Sequence, residues 1–131
     1  MIFVDSSFWI AAIDNRDDHH TSAVGLLRGV SDRLVTSNHV VGETWTFLRS
    51  RHRHDVAMKF LDRVEVTDQL EAIFVPQELE GSAWAWLRRH DERPYSFVDA
   101  TSFALMRHLR IREAFAFDGD FAAAGFVELR T

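Results

Sequence analysis

The sequence predicts an α/β fold in which a mainly parallel β-sheet carries helices on both faces. Three observations support that expectation. Short apolar runs recur between longer stretches with helical periodicity. Parallel strands need long crossover connections, and the helical stretches supply them. The two prolines, Pro76 and Pro94, fall at boundaries between segments rather than inside them.

In chain order, Met1–Val4 is too short for a helix and reads as a buried strand. Asp5-Ser6-Ser7 supplies helix-start residues before Phe8–Ile13. A second helix is expected over Asp17–Val30, with Ala23, Leu26, Leu27 and Val30 on one side. Leu34–Thr36 is the next strand. Helices follow over Asn38–Arg49 and His54–Val64, each with apolar residues at helical spacing. Ala72–Val75 reads as a strand ended by Pro76. Glu78–His90 and Ser96–Leu109 are helical. Ala114–Phe117 and Phe126–Leu129 are strands, with a short helix over Asp120–Ala124 between them. No repeat, low-complexity tract or linker interrupts the pattern, so residues 1–131 are expected to form a single domain.

Composition narrows the class. The chain is 47% hydrophobic and 27% charged, which suits a globular protein and not a disordered one. It has no cysteine, which excludes a disulfide scaffold, an iron–sulfur cluster and a cysteine-liganded zinc site. No apolar run approaches the ~20 residues of a membrane helix. Met1–Asp5 has an acid and no basic segment, unlike a secretory signal. A soluble cytoplasmic protein with no membrane partner is expected. The formal charge is −5, and Lys59 is the one lysine among 15 basic residues. Contact with nucleic acid then needs a local patch, or a metal that turns a negative pocket into an anion site.

Ligands of open parallel sheets sit beyond the carboxyl ends of the strands. Asp5 follows the first expected strand, Asp118 follows Ala114–Phe117, and Asp120 is two residues further on. Asp99 shares a helical stripe with Phe103 and Met106. Glu43 lies between Val40 and Phe47 at helical spacing. Each acid has a structural reading: Asp5 and Asp118 as helix caps, Ser96 with Asp99 as a capping box, Glu43 folded back on its own helix. Capping does not explain why four acids converge near one sheet edge. Two unit charges ~4 Å apart repel by ~4 kcal/mol at an effective dielectric near 20. Such a pocket takes up protons or binds a cation. Oxygen ligands favour Mg²⁺ or Mn²⁺ over zinc, and that chemistry is metal-assisted attack on a phosphodiester.

Ile2-Phe3-Val4-Asp5-Ser6-Ser7, Glu43 in an early helix, Ser96–Ala100 and Phe117–Phe121 followed by Ala124-Gly125-Phe126 resemble the PIN domain, and within it the VapC toxins of toxin–antitoxin pairs. The likeness runs from residue 2 to about residue 129. It implies a three-layer α/β sandwich and a divalent-metal ribonuclease. It implies that Asp5, Glu43, Asp99 and Asp118 form the catalytic pocket, with Asp5, Asp99 and Asp118 as principal ligands of Mg²⁺ (or Mn²⁺). Glu43 would orient a metal-bound water or ligate a second metal. Ser7 would hydrogen-bond an aspartate, and Asp120 would be an accessory acid. An RNA substrate, a small antitoxin partner and a homodimer are implied as well.

Other features divide between two readings. Arg49, Arg51, His52, Arg53 and His54 form one basic cluster; Arg88, Arg89, His90 and Arg93 form another. Each is either a phosphate-tracking patch or a solvated helix end. The spacings of His19 with His20 and of His52 with His54 do not suit a metal site on one helix face. Phe8, Trp9, Trp45 and Phe47 are expected in the core, Trp86 too, with Trp84 free to meet a partner. A catalytically inactive PIN-like binding module is one alternative. A phospho-accepting receiver is another, but it would need a paired acid after the first strand and a lysine near the last, and this chain has neither.

Overall fold

The computed structural model describes residues 1–131. Five strands arise where apolar runs are too short for a helix: β1 (Ile2–Val4), β2 (Leu34–Ser37), β3 (Leu70–Ile73), β4 (Glu113–Phe115) and β5 (Val127–Glu128). They form one parallel sheet in the order β3-β2-β1-β4-β5. Phe3 is paired with Val35 on one side and Ala114 on the other, so β1 is central and all three of its residues are buried.

Between β1 and β2 come α1 (Ser6–Ile13) and α2 (His20–Gly29). Between β2 and β3 come α3 (Asn38–Arg51) and α4 (His54–Val66). Next are α5 (Gln77–Arg89) and α6 (Phe97–Leu109), and α7 (Asp120–Ala123) joins β4 to β5. The path runs outward from β1 to β3, then returns across the sheet to β4 and β5. Right-handed crossovers therefore place α1–α4 on one face and α5–α7 on the other. The packing agrees: α1 lies on α2 and α3, α3 on α4, while α6 lies on α5 and α7. This is the expected three-layer sandwich, and its sheet is parallel throughout.

Aromatic rings fill the layers. Phe8 stacks on Phe115 at 4.5 Å and on Phe117 at 5.6 Å. Trp9 meets Phe60 edge-on at 5.7 Å, and Phe103 meets Phe121 at 5.0 Å. Phe8, Trp9 and Trp86 are buried, as expected. Trp45 and Phe47 are only half-buried, because α3 turns that side toward the sheet's rim. Trp84 is 54% exposed. No helix is long and apolar enough to cross a membrane.

Two strands differ from expectation. β3 lies two residues earlier than Ala72–Val75, because its register is set by β2: Leu34 pairs with Leu70 and Ser37 with Ile73. Phe74 is left 82% exposed, and the Val75 N–H leaves the ladder to donate to Asn38 Oδ1 at 2.8 Å. β4 stops at Phe115, because its partner β1 ends at Val4. Ala116 and Phe117 continue as loop, and the Phe117 N–H donates to Ser7 Oγ at 3.0 Å instead.

Candidate metal centre and active site

The connection from β1 leads to β2, while β4 lies on β1's other side. Chains leaving β1 and β4 part in opposite directions there, which opens a crevice at their carboxyl ends. Asp5 is the first residue after β1 and caps α1. Its Oδ2 accepts the Ser7 N–H at 3.2 Å and the Ser7 hydroxyl at 2.8 Å. Its Oδ1 is buried and meets no donor. Burial, and next Asp118, push the Asp5 carboxyl up to about 8.

Asp99 arrives from the opposite layer on the first turn of α6. Ser96 Oγ accepts the Asp99 N–H at 2.9 Å, and Asp99 Oδ2 accepts the Ser96 N–H at 3.0 Å. This capping box fixes the α6 N-terminus and the direction of the carboxylate together. Asp99 is 8% exposed, and burial raises it to about 6 against the pull of the Ser96 N–H.

Asp118 follows β4 on the loop into α7. Its Oδ1 accepts the Asp120 N–H at 3.1 Å, and Gly119 between them takes a φ of +83°, which an L side chain rarely adopts. Desolvation is the leading cause that raises the Asp118 carboxyl. One oxygen from each of Asp99, Asp118 and Asp120 lies within 4.8 Å of the others. Asp5 stands beside this group, close enough that Asp118 and Asp99 both act on it electrostatically. Glu43 does not join the group. Its Oε2 accepts the Ser6 hydroxyl at 2.8 Å, across 37 residues of chain, so it is anchored next to Asp5.

The donor set fits a hard divalent cation. It is all oxygen, it is anionic, and its most buried member has an oxygen without any hydrogen-bond donor. A structural cap does not need such an oxygen.

The PIN domain model matches residues 2–127. This chain belongs to the PIN domain family. Relatives of this PIN domain include the 23S rRNA-specific endonuclease VapC20 of Mycobacterium tuberculosis, 51% identical over 130 residues that cover 99% of this chain and 98% of that protein. A VapC ribonuclease of Archaeoglobus fulgidus is 26% identical over 114 residues, covering 83% and 72%. The crystal structure of Mycobacterium tuberculosis VapC20, described as a sarcin–ricin loop cleaving toxin, superposes with a TM-score of 0.95 at 49% identity, covering 100% of both chains.

The sheet order also separates this PIN domain from a phospho-accepting receiver, whose order is 2-1-3-4-5. Of the acids picked out in the sequence, the fold gathers Asp5, Asp99, Asp118 and Asp120 and holds Glu43 at their edge. Three histidines pair with other acids: His39 with Glu80 at 2.8 Å, His52 with Asp14 at 3.4 Å and His90 with Glu92 at 2.8 Å. Two features had no separate signal in the sequence. In the sequence Ser6 is one of three helix-start residues, yet in the fold it anchors Glu43. Arg93 is one of four residues in a basic cluster, yet its Nε donates to Asp120 Oδ1 at 2.9 Å and its Nη2 lies 2.9 Å from the same oxygen.

Proposed function

We propose that this PIN domain is the toxin of a toxin–antitoxin pair and hydrolyses RNA phosphodiesters with bound Mg²⁺ or Mn²⁺. The observation that carries this reading is the close group of Asp99, Asp118 and Asp120, with Asp5 within electrostatic reach of it and Asp5 Oδ1 buried without a donor. The 51% identity to an rRNA endonuclease over nearly the whole chain supports it. That relative makes the sarcin–ricin loop of 23S rRNA the substrate to test first.

Asp5, Asp99 and Asp118 hold the cation in this reading, with Asp120 as a further oxygen donor. Bound there, the cation supplies a Lewis acid for a phosphoryl oxygen and lowers the pKa of a coordinated water. Ser7 fixes the rotamer of Asp5, and burial of Asp5 keeps bulk water from its carboxylate. Ser6 occupies Glu43 Oε2, which leaves Oε1 to orient the attacking water and accept its proton.

The antitoxin site we assign is an apolar groove of about 530 Å³ between α1, α2 and α4. Trp9, Ile13, Leu27 and Phe60 line it, and Arg28, Lys59 and Arg63 give it a basic rim. Its chemistry suits an acidic amphipathic helix. Trp84, stacked on Phe97 at 4.2 Å and half exposed, supports a second copy as a further partner.

The test uses an RNA hairpin carrying the sarcin–ricin loop. Cleavage with Mn²⁺, stopped by EDTA and abolished in folded Asp5→Asn, Asp99→Asn and Asp118→Asn proteins, supports the reading. Cleavage that persists in EDTA overturns it.

A further inference from the structure

Resting on the ribonuclease reading, we infer that Arg93 is a substrate-binding residue of this site, parked on Asp120 and aimed at an RNA phosphate. The acid cluster repels a polyanionic strand, and the chain as a whole is negative. The bound cation of the proposed reading offsets part of that repulsion, and a basic side chain beside the acids offsets more. Arg93 is the only basic residue paired with Asp5, Glu43, Asp99, Asp118 or Asp120. The remaining arginines of its sequence cluster, Arg88 and Arg89, end α5 and make no ion pair.

The geometry of the guanidinium fits a shared role. Nε and Nη2 converge on the single oxygen Oδ1 of Asp120, and Nη2 also reaches the Asp118 carbonyl at 3.4 Å. Nη1 donates to no protein atom, and the side chain is 39% exposed. An arginine holds five N–H donors in a fixed planar fork, so those on Nη1 are free for a phosphate oxygen. Gly119 serves the turn beneath the guanidinium through its φ of +83°; a Cβ there would only touch Nη2, at 3.5 Å. An exposed ion pair of this kind adds little to folding, and Arg93 variants are expected to fold.

The experiment compares Arg93→Ala and Arg93→Lys with the unaltered chain, on the same RNA hairpin with Mn²⁺. Three readouts are taken: kcat and KM, calorimetric Mn²⁺ affinity, and the salt dependence of hairpin binding by anisotropy with Ca²⁺ in place of Mn²⁺. For Arg93→Ala the expected result is a KM raised roughly tenfold or more. Its kcat and Mn²⁺ affinity change much less. Its salt slope becomes shallower by about 0.7, the share of one phosphate contact on a single strand. Arg93→Lys keeps the slope but recovers only part of the KM, since an ammonium cannot hold Asp120 and a phosphate in one plane. Unchanged KM and salt slope, with kcat and Mn²⁺ affinity reduced, overturn the inference and leave Arg93 as a prop for the turn. Full equivalence of Arg93→Ala to the unaltered chain overturns it as well. If the unaltered chain cuts no hairpin, the ribonuclease reading fails first and the inference falls with it.

Discussion

Ser7 Oγ donates to Asp5 Oδ2 at 2.8 Å and accepts the Phe117 N–H at 3.0 Å. One hydroxyl thus links the exit of β1 to the loop that carries Asp118. The Ser7 hydroxyl, and with it the Ser7 N–H, lower the Asp5 carboxyl, opposing burial. In Ser7→Ala the Asp5 carboxyl is therefore expected to rise further above 8, and the Phe117 N–H loses its acceptor. Leaving that buried group unpaired costs about 1–3 kcal/mol of stability. A pH–rate profile with its alkaline-rising limb moved to higher pH is the expected outcome; an unmoved limb argues that Ser7 does not act through Asp5.

Without metal, the acids oppose folding as pH rises. Burial pushes the Asp5 carboxyl from its ordinary value of 3.8 up to about 8 in the folded chain. Between those values the folded state keeps a proton that the unfolded state has lost, so stability falls with increasing pH. Asp99, raised to about 6, adds to the same trend over a narrower window. Thermal melting in EDTA is expected to drop steadily from about pH 4 to pH 8 and then level. Asp5→Asn flattens most of that slope and raises the midpoint at pH 8 by roughly 5 °C or more. Melting that improves with pH in EDTA is the contrary result.

Metal binding has the opposite pH dependence. If Asp5 and Asp99 are ligands, as proposed, they must shed protons before they coordinate, so a cation competes with hydrogen ions there. Calorimetric Mn²⁺ affinity is expected to rise steeply from pH 6 to pH 8, with proton release. Asp99→Asn weakens binding by about tenfold or more and removes the lower part of the pH dependence. An affinity that is flat over this range locates the ion elsewhere.

In the proposed reading, the Ser6–Glu43 pair serves rate rather than ion affinity. Glu43→Gln keeps a hydrogen-bonding group at the same place but loses the proton acceptor. Its kcat is expected to fall by roughly 10²–10⁴, the usual contribution of a general base. Its Mn²⁺ affinity stays close to that of the unaltered chain. Ser6→Ala gives a smaller loss of kcat in the same direction, since Glu43 keeps its carboxylate and loses its anchor. A Glu43→Gln protein that loses Mn²⁺ binding instead makes Glu43 a ligand.

The basic rim of the α1–α2–α4 groove gives a separate test of the antitoxin surface. Lys59→Glu with Arg63→Glu reverses the charge on one side of the groove, whose lining includes none of the site acids. The double variant is expected to cut RNA normally and bind the antitoxin at least tenfold more weakly. Pull-down or calorimetry with the co-encoded small protein measures this, and unchanged affinity removes the groove from consideration.

The alternation of strands and helices was legible in the chain because it rests on local pattern. Ile2–Val4 and Leu34–Ser37 are apolar and short; the helices between them repeat their apolar residues every three or four positions. That alternation implies parallel crossovers, and it placed Asp5 and Asp118 beyond strand ends. The edge of the sheet was less legible. The apolar run Ala72–Val75 suggested a strand of its own, whereas the Leu34–Leu70 pairing set the register and put Phe74 in solvent. An edge strand has one neighbour to obey, so its own pattern is a weaker guide.

Amino-acid order alone determined the fold class, the family likeness and the five acids worth watching, because these follow from periodicity and residue type. Tertiary structure decided how those acids divide. It put Asp120 in the tight group with Asp99 and Asp118, left Asp5 Oδ1 without a donor, tied Glu43 to Ser6 and laid Arg93 over the turn. Each of these depends on where two distant segments meet. A side chain's direction at such a meeting is set by the packing of whole layers, which no local pattern encodes.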